Sequence, residues 1–320
     1  MRHFLFACLF GFLAMLSKPP MTHAAGLVEP TLEQQAHCAR IPSEQGRRPC
    51  LDGYRVPPLT LPADVSEGKL DSATRMGIAK PPGPGPFPAI ILMHTCAALS
   101  LDSQMPFWVS SALQRGYVVF VLDSFSQRGI SNDNGCHPGS GPIPWQMLYG
   151  IRARDAYAAA DRLATFSFVD RTRIAAMGFS QGGRVAYMLS GDGSRQAFSA
   201  GAAIAATVAV YGQCYSPTLK VSFVPAAPAI PILSLLGAED TDGYLKACVP
   251  LFERARASGA LVEWTIFHGV GHNWDNPRNI PGRHFPFPDS PDGTLYVEYD
   301  STTTLRSREI AFEFLARNMR

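Results

Sequence analysis

The chain has 320 residues, 46% of them hydrophobic and 17% charged, a balance that excludes disordered and fibrous classes and leaves room for a sizeable core. With 28 Lys+Arg against 26 Asp+Glu the formal net charge is +2, and no basic cluster interleaved with aromatics stands out, so nucleic acid is not an expected partner. Length permits one or two domains, and a single α/β unit of this size is ordinary.

Arg2 is followed by an apolar run from Phe4 to Leu16 and then by small residues at Thr22, Ala24, Ala25 and Gly26. This layout predicts a signal peptide over residues 1–25, cleaved after Ala24 or Ala25 and too short to span a bilayer. The expected location is therefore exported, periplasmic or secreted, with no stable membrane insertion after cleavage. Cys8 would leave with the leader. Cys38, Cys50, Cys96, Cys136, Cys214 and Cys248 remain, an even set suited to disulfides in an oxidising compartment. Spacing leaves the full pairing open, with Cys38 and Cys50 a reasonable first pair. No Cys/His spacing resembles a zinc site, and neither metal nor organic cofactor is expected.

Residues 26–60, rich in Pro, Gly and polar side chains with little periodicity, read as an N-terminal extension on the surface, and the catalytic domain is expected over 61–320. One or two edge strands are expected before Lys80, followed by a Pro/Gly loop over 81–88. Apolar runs then predict strands at 89–93, 117–122, 173–177, 206–211, 230–236 and 261–267. Runs such as VVFVL are apolar at consecutive positions, which suits strands covered on both faces. Between them Ala156, Ala159, Ala160 and Leu163 repeat with helical spacing. Residues 273–299 read as a long loop, and Asp300 or Ser301 is expected to cap a last helix that buries Leu305, Ile310 and Phe314. Alternation of strand and helix predicts an α/β fold with a mostly parallel central sheet and helices on both faces.

The strongest chemical signal is Gly178-Phe179-Ser180-Gln181-Gly182, set between a predicted strand and a predicted helix. Glycines there permit a strained strand-to-helix turn that lifts a serine hydroxyl clear of the sheet, the nucleophile elbow of an α/β-hydrolase. A serine hydroxyl is a weak nucleophile and needs a base, itself oriented by a third group. In this arrangement an acid and then a histidine follow the serine in chain order, each after a later strand. Asp240, flanked by Glu239 and Asp242, follows the 230–236 run. His272 follows the next strand in a Gly-rich turn, with His268 as its nearest competitor. The oxyanion hole needs two backbone N–H donors: Gln181 supplies the first, and Cys96 is the leading candidate in the 94–98 loop. Arg128, just past Asp123-Ser124-Phe125, is a candidate substrate-binding residue for a carboxylate, with a loop-holding salt bridge as the alternative. Trp145, Tyr149 and Trp274 read as core or pocket-wall aromatics.

From about Leu61 to Arg320 the chain resembles the dienelactone hydrolase-like branch of the α/β-hydrolases. FPAIILMHTCAAL resembles that family's strand and His-Gly-Cys-Gly-Gly loop, and RGYVVFVLDSFSQRG its Gly-Tyr strand with Asp-Ser-Phe and Arg-Gly. RTRIAAMGFSQGG resembles its elbow, LLGAED its acid loop and GVGH its histidine turn. Family enzymes that open dienelactones typically carry cysteine at the elbow and a glutamate after the oxyanion-loop strand, where this chain has Ser180 and His94-Thr95. The resemblance implies a Ser180, Asp240 and His272 triad that cleaves a small-molecule carboxylic ester or lactone through an acyl-enzyme. A peptidase or acyltransferase on the same scaffold is the first alternative, and a non-enzymatic binding protein, which would normally lack part of the triad, the second. Oligomeric state is not legible.

Overall fold

The structure, a computed structural model, describes residues 27–319 apart from 43, 71, 137–140, 142, 241–244, 288–289 and 291–292. The expected leader, Cys8 and Asp242 lie outside the described residues. The strands are β1 (Val65–Glu67), β2 (Gly77–Lys80), β3 (Phe87–Met93), β4 (Val118–Leu122), β5 (Val169–Phe179), β6 (Ala206–Val210), β7 (Ile232–Gly237) and β8 (Val262–Phe267), and β3 to β8 fall on the six apolar runs. They make one eight-stranded sheet in the order β1-β2-β4-β3-β5-β6-β7-β8. β2 and β4 pair antiparallel, and the other neighbours run parallel.

Consecutive apolar positions in the central strands serve two cores at once, because side chains alternate across a pleated strand. Ile91 and Met93 of β3 point into one cluster, and Ile90 and Leu92 into the other. All four are at most 1% exposed, which is why these runs show no polar alternation.

The segment expected as an irregular surface extension folds instead as α1 (Leu32–Ala39) and α2 (Glu44–Tyr54). Thr31 opens α1 with a reciprocal capping box: its hydroxyl accepts from the Gln34 amide, and the Gln34 side chain accepts from the Thr31 amide. Gly46, Pro49 and Gly53 mask the helical pattern of α2, and the apolar face is small, made of Cys38, Ile41 and Cys50 against Ala197. A Cys38–Cys50 disulfide holds the two helices together where a larger core would otherwise be needed.

The remaining principal helices are α3 (Met105–Gln114), α4 (Leu148–Ala164), α5 (Gln181–Leu189), α6 (Asp192–Phe198), α7 (Leu245–Ala257) and α8 (Ser301–Asn318). α4, α5 and α7 cover one face of the sheet, with α3 and α8 on the other. α2 docks on α4 and α6. Asp300 caps α8, accepting from the Thr303 amide at 2.6 Å. Leu305, expected to be buried, is 59% exposed, and Ile310 is half-buried. The buried face runs through Thr303, Thr304, Ser307, Ala311, Phe314 and Leu315. Short polar residues take its first turns because they serve the buried Trp274: Thr304 donates to its carbonyl, and Ser307 accepts from its indole.

The 273–299 segment also departs from expectation. It contains an antiparallel hairpin, β9 (Arg283–Pro286) with β10 (Thr294–Val297), whose last residue pairs with His272. Further disulfides join Cys96 to Cys136 and Cys214 to Cys248. Three bridges suit an oxidising location. Among the described residues, no helix is long and apolar enough to cross a membrane.

Candidate active site

β5 ends at Phe179, α5 begins at Gln181, and Ser180 stands between them at φ 51°, ψ −112°. That backbone is strained for a residue with a side chain and is characteristic of a functional turn. The flanking glycines are required by contact: a Cβ on Gly178 would collide with the Gly182 carbonyl, and one on Gly182 with the Met93 carbonyl of β3. The close approach brings the elbow against the end of β3, so the 94–98 loop starts beside Ser180.

His272 Nε2 lies 2.8 Å from Ser180 Oγ, and His272 Nδ1 lies 2.8 Å from Asp240 Oδ2. A carboxylate only accepts, so Nδ1 carries the proton and Nε2 is left to accept from the serine hydroxyl. All three residues are buried. The competitors are elsewhere: Glu239 and His268 are exposed. Backbone hydrogen bonds stitch the acid turn to the histidine turn, with Ala238 donating to the Phe267 carbonyl at 2.8 Å and Glu239 to Val270 at 3.0 Å. Gly237 permits this, since a Cβ there would run into the Val270 and Gly271 carbonyls. The hairpin holds His272 from the other side, because the His272 amide donates to the Tyr296 carbonyl at 3.0 Å.

Behind the imidazole, Tyr211 packs edge-on with ring centroids 4.9 Å apart. Its hydroxyl donates to Asp275 Oδ1 at 2.8 Å, and Trp108 Nε1 donates to Asp275 Oδ2 at 2.7 Å. Burial pushes the Asp275 carboxyl up to about 6 despite these donors, and burial pushes the neighbouring Asp102 up to about 7. Neither acid was marked by motif or spacing in the sequence. Tyr149 and Trp274 are buried as expected, as is Trp145.

Gln181 and Cys96, the residues expected to supply the oxyanion donors, lie just past the ends of β5 and β3. Gln181 is the first residue of α5, so the helix leaves its amide unused. Among the described residues no acceptor meets the Cys96 amide, and the Cys96 side chain is tied to Cys136.

Arg128 points into the protein. Its side chain is 3% exposed, and its two terminal nitrogens meet both oxygens of Asp155 at 2.6 and 2.9 Å, with further donation to the Ser124 and Pro57 carbonyls. The expectation of a carboxylate-binding role is therefore corrected: the guanidinium is committed to a buried internal carboxylate, whose other cation, Arg154, stands further off at 3.9 Å. Arg128→Ala is expected to destabilise the fold by about 3 kcal/mol, the scale of breaking a buried pair, read by denaturant unfolding. Turnover of anionic and neutral esters by the folded fraction should change alike. A stable variant that lost anionic substrates selectively would restore the binding role. Among the described residues no cluster of His, Cys, Asp and Glu could hold a metal ion.

The fold is shared with solved proteins of low sequence identity. A Klebsiella pneumoniae protein assigned as a dienelactone hydrolase is 17% identical, covering 75% of this chain and 91% of its own, with a TM-score of 0.54. A thermophilic esterase from the Planctomycetes species Thermogutta terrifontis is 15% identical over 78% of this chain and 94% of its own, TM-score 0.53. A dienelactone hydrolase-like promiscuous phosphotriesterase from metagenomic libraries is 18% identical over 73% and 87%, TM-score 0.51. No curated protein matches the chain. The dienelactone hydrolase family matches residues 75–319, which takes in β3, the elbow, both the acid and histidine turns and α8. On that span the chain belongs to the dienelactone hydrolase family, a family of ester-bond hydrolases.

Proposed function

We propose that Ser180, His272 and Asp240 act as nucleophile, base and orienting acid, and that the protein opens a small-molecule carboxylic ester or lactone through an acyl-enzyme on Ser180. The observation that carries this reading is the unbroken line of two 2.8 Å contacts from Ser180 Oγ through the imidazole to Asp240. As Oγ attacks the carbonyl carbon, Nε2 takes its proton; Asp240 holds the Nδ1–H and stabilises the resulting imidazolium. Negative charge gathers on the former carbonyl oxygen, to which the Gln181 and Cys96 amides donate in this reading. Collapse expels the alcohol, which takes the proton from Nε2. Water then repeats the sequence against the acyl group, returning Ser180. In a lactone the leaving hydroxyl belongs to the acyl chain, so one ring-opened product results. The three disulfides and the leader pattern at 1–25 support a mature protein that works outside the cytoplasm, periplasmic or secreted.

A fluorophosphonate followed by peptide mapping tests the assignment alongside turnover of aryl esters, lactones and peptides. The expected result is a single label on Ser180 and hydrolysis confined to the ester and lactone classes. A label on another serine, or turnover of peptides alone, would overturn it.

A further inference from the structure

The 94–102 loop is held by a buried carboxylate with no part in proton transfer. Asp102, 1% exposed, reaches back seven residues to Thr95: Oδ2 accepts from the Thr95 amide at 2.7 Å, and Oδ1 accepts from the Thr95 hydroxyl at 2.7 Å. The Thr95 hydroxyl in turn accepts from the Ala97 amide at 3.1 Å. On the other side of the same residue, the Ser124 amide donates to His94 Nε2 at 3.3 Å, which leaves His94 Nδ1–H to donate to the Thr95 carbonyl at 2.6 Å. Every backbone polar group of Thr95 is thus engaged, and so is the amide two residues on. The Cys96 amide between them has no acceptor among the described residues.

The second half of the hole is joined to the first. Arg152, 1% exposed, donates through one terminal nitrogen to Gln181 Oε1 at 2.6 Å and through the other to the His94 carbonyl. Arg152 thus ties the Gln181 side chain to the start of the loop that carries Cys96, adding to the sheet pairing of Met93 with Gly178 just below.

We propose that Asp102 is the positioning residue of the oxyanion hole, clamping Thr95 and Ala97 so that the intervening Cys96 amide is held as the unengaged donor to the transition state. The proposal rests on the acyl-Ser180 reading. An amide fixed in this way contributes only when negative charge has formed on the substrate oxygen, so its loss falls on kcat rather than on substrate binding. Two residues, Ala97 and Ala98, stand where a glycine-rich loop would reach the same geometry through backbone freedom. Ala98 does so at φ 71°, a strained value that a firm anchor one turn further on can maintain.

The test compares Asp102→Ala, Asp102→Asn and Thr95→Val with the wild type, each normalised to active sites counted by fluorophosphonate labelling carried to completion. For Asp102→Ala, kcat on an aryl ester should fall about 100-fold, the loss of one oxyanion donor, with KM within about threefold. Inhibition by a trifluoromethyl ketone, which mimics the tetrahedral oxyanion, should weaken by the same factor. Asp102→Asn keeps an acceptor for the Thr95 amide and should recover part of the loss; Thr95→Val should lose about tenfold. If Asp102→Ala does not fold, the other two variants decide. Unchanged kcat per labelled site, or a loss confined to KM with ketone affinity intact, would overturn the role of Asp102. A wild type that neither labels at Ser180 nor binds the ketone would overturn the acyl-enzyme reading instead.

Discussion

Ser180→Ala is expected to reduce kcat for ester hydrolysis by roughly four to six powers of ten, the range seen when a triad nucleophile is removed. The size follows from what remains. Without Oγ no covalent intermediate can form, and His272 must act, if at all, on a water that the site was not built to hold. The residual rate over uncatalysed hydrolysis would come from the Gln181 and Cys96 amides and from substrate positioning. KM should move little, because the Oγ bond to carbon exists only after attack. The fold should survive: the Ser180 side chain contacts His272, while the elbow is maintained by backbone hydrogen bonds from Ser180 to the Val210 carbonyl and from Arg184 to the Ser180 carbonyl. Alanine also inherits the φ of 51°, so no new backbone strain arises. Active-site labelling should vanish in parallel. A variant with near-normal turnover would mean that some other group attacks the substrate.

The parts of this molecule written in consecutive residues were legible, and the parts written in distant pairs were not. All six predicted strands form, because a run such as VVFVL between two apolar layers has no other low-energy use. The elbow was readable because its glycines, serine and flanking elements are contiguous. The two helices at 32–54 were hidden by Gly46, Pro49 and Gly53, and much of their cohesion comes from the Cys38–Cys50 bridge rather than from a periodic apolar stripe. The hairpin over 283–297 was obscured by its Pro, Gly and Asp content, yet its β10 strand has the alternation Leu295 in, Tyr296 half-out, Val297 in. Within the site, Asp102, Arg152, Tyr211 and Asp275 act on partners brought close by folding, and nothing in their immediate neighbours announces it. Asp102 could have been suspected: a carboxyl in the loop after a strand end, set beside the apolar Leu99 and Leu101, must find donors if it is buried.

The sharpest distinction among neighbours in the chain concerns the acid. Asp240→Asn is expected to lower kcat by on the order of 10⁴, the scale reported for this change in a serine triad, while Glu239→Gln should leave it within about twofold. An asparagine at 240 has nearly the shape of the carboxyl, so packing is retained, but it can present an N–H toward Nδ1. The imidazole then favours the tautomer with its proton on Nε2, which cannot accept from the Ser180 hydroxyl, and the imidazolium formed during attack loses its counter-charge. Glu239 lies on the same turn but is exposed, and what it supplies to the site is its backbone, through the hydrogen bond to the Val270 carbonyl that a glutamine would preserve. Measuring kcat across pH for both variants adds a check on cause. If misorientation of His272 is responsible, the Asp240→Asn enzyme should regain some rate at high pH, where hydroxide can take over the role of the base, and the Glu239→Gln profile should overlay the wild type. A larger loss in Glu239→Gln than in Asp240→Asn would transfer the orienting role to Glu239, and would require the 238–240 turn to rearrange so that an exposed carboxyl swings in to replace the 2.8 Å contact now made by Asp240.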